Sequence, residues 1–340
     1  METKLIELIY SQDTFFLLMS GALVMWMATG FAMLESGMVR TKSVAEILTK
    51  NIALYAIACI MYMLVGYNIM YGSSDSAWLP SIRFFLGLDN SLAQVVESGG
   101  ELGHSKLSDF FFQVVFVATA MSIISGSVAE RMKLWSFLLF SVVMTALIYP
   151  IQGYWKWGGG ILEQAGFLDF AGSGVVHLAG AAGGCIAALI LSRLWFGKTD
   201  LTMGLNGILA GLVAITAEPL TPTPGLATFI GIVGGLIVVV SIIMMDRRGH
   251  IDDPVGAISV HGVVGIWGLL AVVLSNPKAS FIAQLEGIAL IFIWVFSTSF
   301  VTWLILKKTM GIRLSELEEY EGADIAEIGL EAYPEFTQKL

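Results

Sequence analysis

The chain has 340 residues, of which 56% are hydrophobic and only 13% are Asp, Glu, Lys or Arg, with a mean hydropathy of +0.80. A water-soluble domain is about a quarter charged, so this balance excludes an ordinary soluble enzyme, and no enzymatic activity is expected. The net charge of −9 and the lack of a long basic run exclude nucleic acid as a partner, because nothing would neutralise a phosphate backbone.

A helix rises about 1.5 Å per residue and needs roughly 20 apolar residues to cross the hydrocarbon. Nine long uncharged runs lie near 14–34, 51–72, 110–129, 134–154, 171–192, 201–217, 224–245, 255–275 and 281–306. The first follows Lys4, Glu7 and Asp13 and meets Glu35 without a small-residue cleavage site, so it reads as a retained membrane helix. Residues 73–108, rich in Ser, Gly and Asp, read as an external loop. The segment 311–340 carries Glu316, Glu318, Glu319, Glu321, Asp324, Glu327, Glu331 and Glu335, a composition that favours a solvated cytoplasmic tail. The runs show no period-two alternation, which argues against a barrel. The fold class expected is therefore an all-α polytopic membrane protein with about nine transmembrane helices in residues 1–310.

Basic residues favour cytoplasmic loops. With the N-terminus out and the C-terminus in, 13 of the 18 Lys and Arg residues fall inside, among them Arg40, Lys42, Arg131, Lys133, Arg247, Arg248, Lys307 and Lys308. The odd number of spans and the charge bias thus agree. Cys59 and Cys185 lie far apart in apolar stretches without Cys or His ligand spacing, so neither a disulfide scaffold nor a metal site is expected.

An ionisable group inside a span is costly and marks a functional position by default. His177, in AGSGVVHLAGAAGG, and His261, in DDPVGAISVHGVVGIWG, are surrounded by Gly and Ala, which let helices approach closely and leave a narrow lumen beside the ring. A neutral imidazole offers one donor and one acceptor, which suits a small hydrogen-bonding solute. A bare metal cation would need a ring of oxygens that is missing. Axial ligation of a haem is a further use for two membrane histidines, against which the tight glycine surroundings speak. Phe116 near the outer half of the third run and Trp157 at the end of the fourth offer π faces to a small cation, or form an ordinary aromatic belt. Asp169 stands either beside them or as a helix N-cap.

The strings GFAMLESGMVRTKSV, FVATAMSIISGSVAERMK, YWKWGGGILEQAGFLDFAGSGVVH, LTMGLNGILAGLVAITAEPL and DDPVGAISVHGVVGIWG, in this order, resemble the ammonium transporters of the Amt/Rh family along nearly the whole chain. The resemblance implies a homotrimer in the cell membrane in which each subunit has its own pore. Ammonium, or its analogue methylammonium, would be captured at an aromatic site, deprotonated and led past two histidines. By position, His177 and His261 match the family's pore histidines, Phe116 its outer gate, Trp157 its recruitment tryptophan and Asp169 its buried aspartate. No cofactor is implied, and a PII-type signal protein at the cytoplasmic face is the regulator that the resemblance suggests.

The family normally has eleven spans in two inverted five-helix repeats. Here the VVH motif of its fifth span runs within about eight residues into a string that resembles the end of its seventh, with the seam in 178–186. A hybrid helix is expected to replace the inner half of the fifth span, the sixth, and the outer half of the seventh. Both parent helices run from outside to inside, so later helices keep their direction. The missing stretch would carry the family's second gate phenylalanine and a serine that binds the ion. A non-transporting or sensor subunit is therefore the alternative reading. Smaller departures are Ser43 where an Asn is usual, Gly256 where an Asp is usual, and Ile328 and Leu330 in the tail.

Overall fold

The computed structural model describes residues 2–170, 197, 201–249, 251 and 253–336. His177, the expected fifth span at 171–192 and the seam at 178–186 lie outside the described residues. Among the described residues there are eight principal helices: α1 (Glu2–Met38), α2 (Thr41–Tyr71), α3 (Lys106–Ser127), α4 (134–157), α5 (Leu201–Thr216), α6 (Pro224–Met244), α7 (Ile258–Ser275) and α8 (Phe281–Thr309). Seven helices among the described residues are long and apolar enough to cross a membrane, α5 being the shorter one. Among the described residues there is no strand, only one bridge between Met132 and Arg313. The all-α polytopic reading holds.

Burial of apolar side chains does not drive helix association in lipid, so packing and interhelical hydrogen bonds must. Small residues mark the close approaches. A Cβ on Gly234 of α6 would meet the Ala210 carbonyl and the Ala214 Cβ of α5 at 3.0 Å, and one on Gly268 of α7 would meet the Val213 carbonyl at 2.9 Å. These three helices share one core built on Ala210, Ala214, Ile230, Val238 and Val264. A second group joins α1 to α4, with Tyr67 donating to Asp109 at 2.7 Å and Trp294 of α8 donating to the Ile148 carbonyl at 3.1 Å. Gln284, fully buried on α8, donates to the carbonyls of Leu168 and Leu269 and accepts from the Leu168 N–H, tying the groups together.

Helix α4 contains a wide π turn at Met144–Ile148, directly ahead of Pro150. Proline has no N–H to close the usual bond, and the ladder loosens around it. Another π turn, Ile258–Val263, opens α7 and carries His261. Such turns recur at functional sites.

The segment from 311, expected as a solvated extension, is largely exposed and is anchored on the helix ends at a few residues. Asp324 is fully buried and accepts from the Glu46 N–H at 2.7 Å, Glu327 accepts from the Leu134 N–H at 2.8 Å, and the Lys42 ammonium donates to the Tyr320 carbonyl. A capping box between Ser315 and Glu318 starts its short helix Glu316–Glu321. Where Asp324 and Glu327 meet backbone N–H groups at helix starts, the helix dipole favours their negative charge.

Candidate functional site

His261 is held from below by Asp253, whose carboxylate accepts from the N–H groups of Ile258 at 3.0 Å and Ser259 at 3.0 Å. These are orphan donors of the first turn, so the aspartate acts as the cap of α7. Asp253→Ala is expected to cost about 0.5–2 kcal/mol and to lower the midpoint of thermal unfolding in detergent, with no change expected from Asp246→Ala on the neighbouring exposed turn. Gly256 has φ +76°, and a Cβ there would meet the Asn206 amide at 2.7 Å. This explains glycine where the resemblance leads one to expect aspartate.

The His261 ring lies 5.7 Å from the Phe31 ring of α1, tilted by 48°. Both line a cavity of about 10 Å³, the room of about one water molecule. The other walls are Leu34, Ser122, Gly126, Asn206, Leu209 and Val260. Ser122 Oγ and Asn206 Oδ1 are buried without a hydrogen-bond partner among the described residues. Elsewhere in the bundle the hydroxyls of Thr119, Ser127 and Ser141 bond the carbonyl four residues back. An unmet buried polar atom costs about 1–3 kcal/mol, so these two are set for a hydrogen-bonding solute beside the imidazole.

At the opposite end of α4, Trp157 closes the helix and its Nε1 donates to the Asp169 carbonyl at 3.1 Å. Both residues line a cavity of about 590 Å³ with Lys156, Glu163, Phe170 and Glu218. The Lys156 ammonium pairs with Glu163, and Asn276 donates to Glu218 at 2.7 Å. Three carboxylates against one ammonium make this mouth attractive to a small cation.

Burial pushes the Asp169 carboxyl up to about 6, against the opposing charge of Lys156. The folded protein therefore holds this proton more tightly than the unfolded chain, whose aspartates titrate near about 4. Stability is expected to fall as pH rises through that window. In a pH series of melting points, Asp169→Asn should flatten that segment of the curve, and a parallel curve would show that the carboxyl does not titrate there.

The structure thus brings Trp157 and Asp169 together and sets His261 apart from them in the narrow cavity. Phe116 lines neither of these two cavities. Its ring packs against Phe112 at 5.1 Å, six residues before Ser122 on α3, about 9 Å along the axis. Sequence reasoning missed Ser122, Asn206 and Glu35. The first two carry no charge to draw attention, and Glu35 was placed at the end of the first run, whereas α1 continues to Met38 and encloses it.

Among the described residues, seven membrane-length helices, a charged mouth and a narrow histidine-lined cavity define a multi-pass membrane protein. The sequence profile of the Ammonium Transporter Family matches residues 15–194 and 178–333, and the chain belongs to that family. Ammonium transporter Amt2 of Archaeoglobus fulgidus is 33% identical over 427 residues, covering 96% of this chain and 89% of the relative. The aligned length exceeds the 340 residues of this chain, so the relative carries stretches without a counterpart here. The ammonium transporter of Bacillus subtilis is 28% identical, covering 94% of this chain and 98% of the relative. Among solved structures, one described as a Sensor Amt Protein has a TM-score of 0.86 at 25% identity, covering 95% of this chain and 99% of that one. Candida albicans Mep2 shares the fold, with a TM-score of 0.81 at 22% identity over 95% of this chain and 92% of its own.

Proposed function

We propose that the chain carries ammonium, as ammonia plus a separately handled proton, across the membrane. A cation drawn to the mouth lined by Trp157, Asp169 and Glu218 meets a π face and carboxylates there. Moving the intact ion through an apolar helix bundle is expensive, whereas the neutral amine is small, uncharged and able to hydrogen-bond. The observation that carries the reading is the His261 cavity, with two unmet polar atoms beside the imidazole in a space of about 10 Å³. His177 is assigned as the second ring of that track, and Phe116 as a gate above it, on the strength of the family strings.

The family assignment also supports a homotrimer, an N-terminus outside, a C-terminus inside, and a PII-type regulator that would meet the segment 311–340. The profile matches overlap over 178–194, which supports a hybrid helix with its seam in 178–186. A sensor or non-transporting subunit is the second reading, favoured by the shortened middle and by the likeness to the Sensor Amt Protein. Reconstitution into liposomes decides between the two. Methylammonium uptake well above that of protein-free vesicles is expected, and uptake equal to theirs would leave the sensor reading.

A further inference from the structure

A buried carboxylate stands close to the His261 cavity. Phe31, which touches the His261 ring, and Glu35 stand four residues apart on α1, one turn on the same face. Gly126 lines the histidine cavity, and the Glu35 carboxyl carbon lies 3.8 Å from where a Gly126 Cβ would stand. Glu35 is fully buried. Its Oε2 accepts from Ser125 Oγ at 2.7 Å and from Asn51 Nδ2 at 3.1 Å, while Oε1 has no partner among the described residues. Asn51 Oδ1, beside it, is likewise unmet.

We propose that Glu35 accepts the proton that ammonium gives up before it enters the histidine cavity as ammonia. This deepens the transport reading and rests on ammonium being the solute. One N–H bond of the ion breaks, its electron pair stays on nitrogen, and the proton passes by way of the imidazole to Glu35 Oε1, leaving ammonia and a neutral carboxyl group. The carboxyl then releases the proton toward the end of the bundle where α2 begins. Serine and asparagine hold the acid in place but cannot change charge, so among the described residues the carboxylate is the group beside the cavity, besides the His261 imidazole, that can store a proton. The charged groups facing it are Lys50 and Glu46 of α2, with Asp324 and Glu327 of the C-terminal segment beyond Glu46. From α3 it meets Ser125, and from the turn ahead of α7 the cavity wall is the apolar Val255.

Glu35→Gln keeps the acceptor for Ser125 and Asn51 yet cannot take a proton. In proteoliposomes on an electrode, the charge movement evoked by ammonium is expected to fall by about tenfold or more in this variant. Infrared difference spectra of the wild type on ammonium addition should show a protonated-carboxyl C=O band that Glu35→Gln lacks and Glu35→Asp shifts. An unchanged charge movement in Glu35→Gln, or no such band in the wild type, would overturn the proposal. A band without any ammonium flux would overturn the transport reading alone and leave Glu35 as a proton acceptor in a sensor. The band is read on the wild type, so the test survives a Glu35→Gln variant that fails to fold, with Glu35→Asp supplying the assignment.

Discussion

His261→Ala is expected to reduce methylammonium flux into liposomes by roughly five- to 150-fold while leaving the melting point nearly unchanged. The imidazole supplies the donor and acceptor that meet a solute passing Ser122 and Asn206, and losing a partner in a buried polar site costs about 1–3 kcal/mol. The ring's ties to the bundle are weaker. Its described contact is the tilted face of Phe31, and α7 is anchored by the Asp253 cap and by Ser259 Oγ, 3.1 Å from Ser241 Oγ, rather than by His261 itself. The double variant His177→Ala His261→Ala should lose no more than a few-fold beyond the single one if both rings serve one step. Equal flux from the double variant and the wild type would remove the histidine track altogether.

Gly158→Ala should be the most damaging one-methyl change near the Trp157 mouth. A Cβ there would stand 2.1 Å from the Met70 carbonyl and 3.0 Å from the Tyr154 Cα. Both are backbone atoms, so no side-chain rotation relieves the clash and the end of α4 must move away from α2. Overpacking of this kind costs about 1–3 kcal/mol, and the upper end is expected here. Trp157 is the adjacent residue, so its hydrogen bond to the Asp169 carbonyl should be lost with it. Tryptophan fluorescence and substrate affinity should therefore shift together with the melting point. Gly30→Ala is the control, since a Cβ there meets nothing within 4 Å. An open helical site gains about 0.5–1 kcal/mol from the exchange of glycine for alanine. Equal effects of the two substitutions would show that close backbone approach does not hold Trp157.

The tail shows where reading by composition stops. Its eight acids from Glu316 to Glu335 look alike in the sequence, yet they do different things. Asp324 is sunk against α2, Glu327 caps the start of α4, and Glu319 reaches Arg313 at 2.8 Å. Hydrogen bonds from Arg313 hold the Glu319 carboxyl below the usual carboxylate range despite slight burial. Which acid finds which N–H depends on how the chain returns across the helix ends, a relation of residues nearly 280 positions apart in the case of Asp324 and Glu46.

The sequence by itself determined that this is a helical membrane protein of the ammonium transporter family, because run length and the order of long family strings are local properties that need no partner. It also singled out His261, Trp157 and Asp169, since a charge, an imidazole or an indole at a membrane helix or its rim stands out against an apolar background. Only the tertiary structure decided that Trp157 and Asp169 share one mouth, that Phe116 packs away from both cavities, that Ser122 and Asn206 stand beside His261 with unmet polar atoms, and that Glu35 is buried near Gly126 of the same cavity wall. The physical reason is that an unmet hydrogen bond is a fact about neighbours. A serine in a helix normally satisfies itself on its own backbone, and only the packed bundle reveals one that does not.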